Sequence, residues 1–121
     1  MSGLPDCLYC SAPEDAWVLT DDVVAVPHPT PLASCHVVVA PRRHVPAFYD
    51  LDVAEQRRIW DTLSELRRRI KASLNVSGFD VGFADGDPND PGAHAHIHVI
   101  PRIEGDQVEL PGGVEWVDLG D

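Results

Sequence analysis

Ala93-His94-Ala95-His96-Ile97-His98-Val99-Ile100-Pro101 alternates polar and apolar side chains without a break. Successive side chains of a β-strand point to opposite faces, so this period of two predicts a strand. His94, His96 and His98 then share one face, and Ala95, Ile97 and Val99 turn into the core. Each imidazole carries two polar nitrogens that need partners, so packing alone explains three in a row poorly. The residues allow a closed metal site, a polar stripe on an edge strand, a catalytic metal held by all three, or a reaction centre. Titratable groups aligned at the mouth of a loop favour the last.

That loop is Asp85 to Gly92, turn-rich through Gly86, Pro88, Asn89 and Pro91. Phe79 to Ala84 reads as the strand before it. Further upstream the period changes: Ile59, Leu63, Leu66, Ile70 and Leu74 recur every three or four residues, which predicts an amphipathic helix from Val53 to about Leu74. Asp50 or Asp52 is its expected N-cap. Six of the nine basic residues (Arg57, Arg58, Arg67, Arg68, Arg69 and Lys71) fall on this helix and read as a solvated face. His36-Val37-Val38-Val39-Ala40 is a β-branched run closed by Pro41, and Val23, Val24 and Val26 form a short strand ended by Pro27, Pro29 and Pro31. Residues 1–15 read as a loop that contains the pair Cys7 and Cys10.

The chain has 121 residues, the length of one domain with one core, taken here as 1–121 with a C-terminal tail at 111–121. A formal net charge of -11 disfavours a nonspecific grip on nucleic-acid polymers or an anionic membrane. No stretch approaches the roughly 18 apolar residues of a membrane span, and no basic segment leads into an apolar signal core, so a cytoplasmic protein is expected. Three cysteines are too few for a disulfide framework. A CxxC pair in such a protein means metal, redox chemistry or coincidence.

His94-Ala95-His96-Ile97-His98-Val99-Ile100 with Pro101-Arg102 resembles the signature of the histidine triad nucleotide hydrolase and transferase superfamily. Pro31 to His44 is similar to the family's upstream strand, and Pro111-Gly112-Gly113-Val114-Glu115-Trp116 resembles the tail of bacterial members. The resemblance implies an α+β fold, with an antiparallel sheet of about five strands, one long helix and usually a homodimer. It implies that His96 attacks the α-phosphorus of a nucleotide to form a nucleotidyl-histidine, that His98 contacts the transferring phosphate, and that His36 completes the cluster. A neutral imidazole suits the attack if a carbonyl accepts the proton of its other nitrogen. The resemblance also implies a structural Zn2+ held by Cys7, Cys10, His44 and His94, with all four positions filled.

The pattern breaks at three places. Eight positions before His36, where dinucleotide-hydrolysing relatives carry an acidic or amide residue on the ribose, stands His28. Before the triad, Asn89-Asp90-Pro91-Gly92-Ala93 replaces a glycine, glutamine and hydroxyl sequence that assists the leaving group. Cys35 replaces the usual glycine before the upstream histidine. Asp90, with Asp85 and Asp87, repels a polyphosphate, so a nucleoside monophosphate derivative with a smaller leaving group is the expected substrate, met by His28, Asn89, Asp90 and His98. The competing expectation is a zinc-stabilised nucleotide-binding or interaction module without turnover.

Overall fold

The computed structural model describes residues 8–11, 14–28, 31, 34–84, 86, 89–106 and 115–120. A helical turn α1 (Leu8–Ser11) precedes β1 (Val18–Leu19), β2 (Val23–Pro27) and β3 (Val37–Pro41). The long helix α2 (Val53–Ser73) follows, then β4 (Gly78–Ala84), β5 (His96–Arg102) and β6 (Glu115–Gly120). The strands make one antiparallel sheet in the order β1-β2-β3-β5-β4-β6. Among the described residues the sheet counts five strands of five to seven residues and β1, which is only two residues long. The α+β class, the antiparallel sheet of about five strands and the one long helix are as expected, and two details differ. Glu115–Gly120, inside the expected tail, pairs along β4 with Val81 opposite Val117. The second half of the CxxC stretch is helical rather than loop.

Asp52, not Asp50, caps α2. Its Oδ1 accepts the Glu55 N–H at 2.7 Å, and the Glu55 carboxylate accepts the Asp52 N–H at 3.2 Å, a reciprocal capping box. Asp50 instead lies in the short 3-10 turn before the helix. Ile59, Leu63, Leu66 and Ile70 are the buried face of α2, each worth about 2 kcal/mol on leaving water. Five of the six basic residues of α2 are exposed, and Arg67 lays its guanidinium over Phe79 at 5.8 Å. The solvated face is therefore largely as expected.

The two middle apolar runs are continuous because both of their faces are covered. Val23, Ala25, Val37 and Val39 pack in the core beneath α2, whereas Val24, Val26, Val38 and Ala40 form a second cluster joined by Tyr9 and Ala16. Directly opposed residues of paired strands share a face. His98 stands opposite Val38 on β3 and Gly82 on β4, and His96 stands opposite Ala84. The histidines therefore face away from α2, and their neighbours on β4 are too small to cover the rings.

Candidate active site

β5 begins at His96, so only His96 and His98 of the three aligned histidines lie on the strand. Just ahead, the Ala95 N–H bonds the Val45 carbonyl at 2.7 Å, outside the β4–β5 ladder. Ala95, Ile97 and Val99 are buried as the alternation requires. The break in the ladder sets His94 apart from its two neighbours.

His96 Nδ1 lies 2.9 Å from the His94 carbonyl oxygen. A carbonyl only accepts, so Nδ1 carries the proton and Nε2 keeps its lone pair when the ring is neutral. Burial pushes the His96 pKa below 6.5, the bond to the His94 carbonyl partly opposing it. The Tyr9 ring stacks on His96 with centroids 5.1 Å apart and planes 26° from parallel. The His96 ring is thus held by a backbone bond on one edge and a ring on one face.

His36 is 2 % exposed, and its Nε2 stands 3.0 Å from His98 Nδ1, so one imidazole donates to the other. Burial lowers His36 to about 4, helped by His28; it lowers His98 to about 4, helped by His96, His36 and His28. Both rings are therefore neutral near pH 7. His28 stacks on His36 at 4.5 Å and 17°, and lies 5.4 Å from the His98 ring. The structure brings the rings of His28, His36, His96 and His98 together.

A second cluster lies behind His96. Cys10 Sγ is 3.2 Å from His44 Nδ1 and 3.4 Å from His94 Nδ1, and the two Nδ1 atoms are 3.1 Å apart. His94 Nε2 donates to the Pro41 carbonyl at 2.6 Å, and His44 Nε2 donates to the Pro91 carbonyl at 2.9 Å. Both Nδ1 atoms are therefore left as lone pairs that face each other and a thiol with one proton to give. A tetrahedral zinc with bonds of about 2.0 Å to nitrogen and about 2.3 Å to sulfur has edges of about 3.3 Å (N to N) and 3.5 Å (N to S). The three donors stand within about 0.3 Å of those edges, and both tautomers are the ones a metal needs. The donor set fits the ion. Cys7, the fourth expected ligand, lies outside the described residues, as do Asp85 and Asp87.

Asn89 and Asp90 are exposed in the loop before the triad. The Asp90 carboxylate accepts the Gly92 N–H at 2.9 Å, so it closes a turn of its own loop. The loop packs tightly: a Cβ on Gly86 would stand 2.5 Å from the Ala93 Cβ. Cys35 is half-buried, with φ +62, the left-handed conformation that the usual glycine adopts without strain. Tyr9 was not expected at the site. Its place inside the CxxC stretch is the one signal that could have found it, since any residue tied to Cys10 is carried toward His94.

A family model described as "HIT domain" matches residues 11–105. A bifunctional bis(5'-adenosyl)-triphosphatase/adenylylsulfatase from Arabidopsis thaliana is 33% identical over 81% of this chain and 55% of its own length. An asymmetrical bis(5'-nucleosyl)-tetraphosphatase from Schizosaccharomyces pombe is 31% identical over 63% of this chain and 42% of its own. The chain thus spans about half the length of these curated relatives. A Hit-like protein from Bartonella henselae shares the fold, with a TM-score of 0.72, 21% identity and coverage of 95% of this chain and 88% of that one. With the family model matching most of its length and the histidine cluster assembled where that motif lies, the chain belongs to the HIT domain family.

Proposed function

We propose that this chain is a nucleotide hydrolase or nucleotidyl transferase that works at the α-phosphate through His96. The observation that carries the reading is the bond from His96 Nδ1 to the His94 carbonyl, which leaves Nε2 as the attacking atom. Nε2 adds to the α-phosphorus, and the bond from phosphorus to the leaving group breaks, the leaving group taking the electron pair. Water then adds to the same phosphorus and loses a proton, the P–N bond breaks, and Nε2 recovers its lone pair. With His36 Nε2 donating to His98 Nδ1, the proton of neutral His98 lies on Nε2, which serves as a hydrogen-bond donor to the phosphoryl oxygens where charge crowds in the transition state, and His36 sets that tautomer.

The names of the relatives centre on nucleosyl polyphosphates and, in one case, adenylylsulfate. The shared reacting unit is a nucleotidyl phosphorus with a good leaving group. The acidic loop and His28 in place of a ribose-binding acid or amide support a nucleoside monophosphate derivative over a dinucleoside polyphosphate. A structural zinc on Cys10, His44 and His94, with Cys7 as the fourth ligand, would hold the N-terminal stretch against β5 without entering the chemistry.

The test is a panel of adenylylsulfate, adenosine phosphoramidate and diadenosine tri- and tetraphosphate, with trapping of the adduct by denaturation and peptide mass spectrometry. A nucleotidyl mass on the peptide containing His96, with nearly all turnover lost in His96→Ala, is the expected result. Turnover by His96→Ala at the wild-type rate refutes the covalent route. Nucleotide binding with neither adduct nor turnover across the panel favours a binding module.

A further inference from the structure

His28 belongs to neither the nucleophile nor the Cys10 cluster, yet it is built into the sheet. Its N–H donates to the His36 carbonyl at 2.9 Å, which joins the end of β2 to the start of β3 and sets the two rings side by side. His98 reaches the same point from β5, with ring centroids 5.2 Å from His36 and 5.4 Å from His28. One ring nitrogen from each of the three lies within 4.8 Å of the others. No pair needs to close by more than about 1.5 Å to reach the edge of a tetrahedron around a zinc-sized ion. His36 and His98 already meet through Nε2 and Nδ1 at 3.0 Å, a separation at which one ion can replace the shared proton.

We propose that His28, His36 and His98 form a second metal site, which takes a divalent transition ion of the zinc, cobalt, nickel or copper kind. Neutral imidazoles select such ions over magnesium or calcium, which want oxygen ligands. Three protein ligands leave a coordination position open to water or an anionic oxygen. This site differs from the Cys10 cluster in having no sulfur, and from the aligned His94, His96 and His98 in needing the histidine that directly follows β2. His96 stays outside it, its Nδ1 proton given to the His94 carbonyl.

Cobalt(II) alone is the probe, because its visible bands report coordination and a thiolate adds a charge-transfer band in the near ultraviolet. In the double variant Cys7→Ser with Cys10→Ser, which removes both sulfurs of the other cluster, one Co2+ per chain should bind with visible bands and no thiolate band. His28→Asn in the same background should weaken that binding by at least about tenfold, and His96→Ala should not. If the double variant fails to fold, full-length protein loaded with one zinc per chain replaces it, with the extra Co2+ read by the same absence of a thiolate band. The proposal is overturned if no Co2+ binds outside the thiolate cluster, or if His28→Asn binds as tightly as its parent. Loss in His96→Ala but not in His28→Asn also overturns it. None of these readings requires turnover, so they stand apart from the test of His96 as nucleophile.

Discussion

Removing one sulfur should expose how much of this fold depends on the cluster behind the active site. In Cys10→Ser the two histidine Nδ1 lone pairs remain 3.1 Å apart with one of the two expected thiolates gone, and His94 is only 6 % exposed. Zinc present at about a thousand times its dissociation constant stabilises the folded state by about 4 kcal/mol, and that stabilisation disappears with the ion. An unsatisfied buried acceptor costs about 1–3 kcal/mol in the same direction. At about 4 °C per kcal/mol for a domain of this size, the metal alone corresponds to a fall in melting temperature of about 15 °C. The assay is scanning calorimetry beside elemental analysis, on wild type, Cys10→Ser, His44→Ala and His96→Ala purified without chelators. Wild type and His96→Ala should hold about one zinc per chain more than Cys10→Ser and His44→Ala, which should lose that zinc and the stability with it. A zinc-free wild type, or zinc lost in His96→Ala but kept in Cys10→Ser, would refute the assignment of His94 and Cys10 to a metal.

His36→Ala and His98→Ala should each lower kcat/KM by about two orders of magnitude while leaving the nucleotidyl adduct on His96 detectable, since one removes the ring that sets the donor's tautomer, the other removes the donor, and both spare the nucleophile. Wild-type rates in both would take them out of the site. Burial holds His96 below 6.5, so its neutral form persists to lower pH than a free imidazole, and the acid limb of kcat/KM should fall below pH 6.5. An acid limb above pH 6.5 that tracks His96 contradicts that reading. Asp52→Ala removes the side-chain half of the capping box and should cost about 1 kcal/mol in a denaturant titration, with Asp50→Ala near zero as the control.

Local periodicity was enough to place β2 to β5 and α2, because a strand repeats every two residues and a helix about every 3.6 wherever the chain lies. Val37–Val39 and the Ile59, Leu63, Leu66, Ile70 spacing carry their burial in their own order, and the motif from His94 to Arg102 carried the family. The N-cap was narrowed to Asp50 or Asp52, and Glu55 three residues after Asp52 was the signal that distinguishes them. Other features had no local sign. Glu115–Gly120 becomes a strand by pairing with β4, which lies more than thirty residues earlier. His94 leaves the strand that its alternation suggests, because its ring turns toward His44 and Cys10 while Ala95 bonds Val45. The tautomer of His96, the stacking of Tyr9 and the meeting of His28 with His98 all depend on which atoms face one another across distant segments. A side chain's face follows from the backbone repeat, but the partner it meets there follows from how the sheet is ordered, and only the tertiary structure decides that.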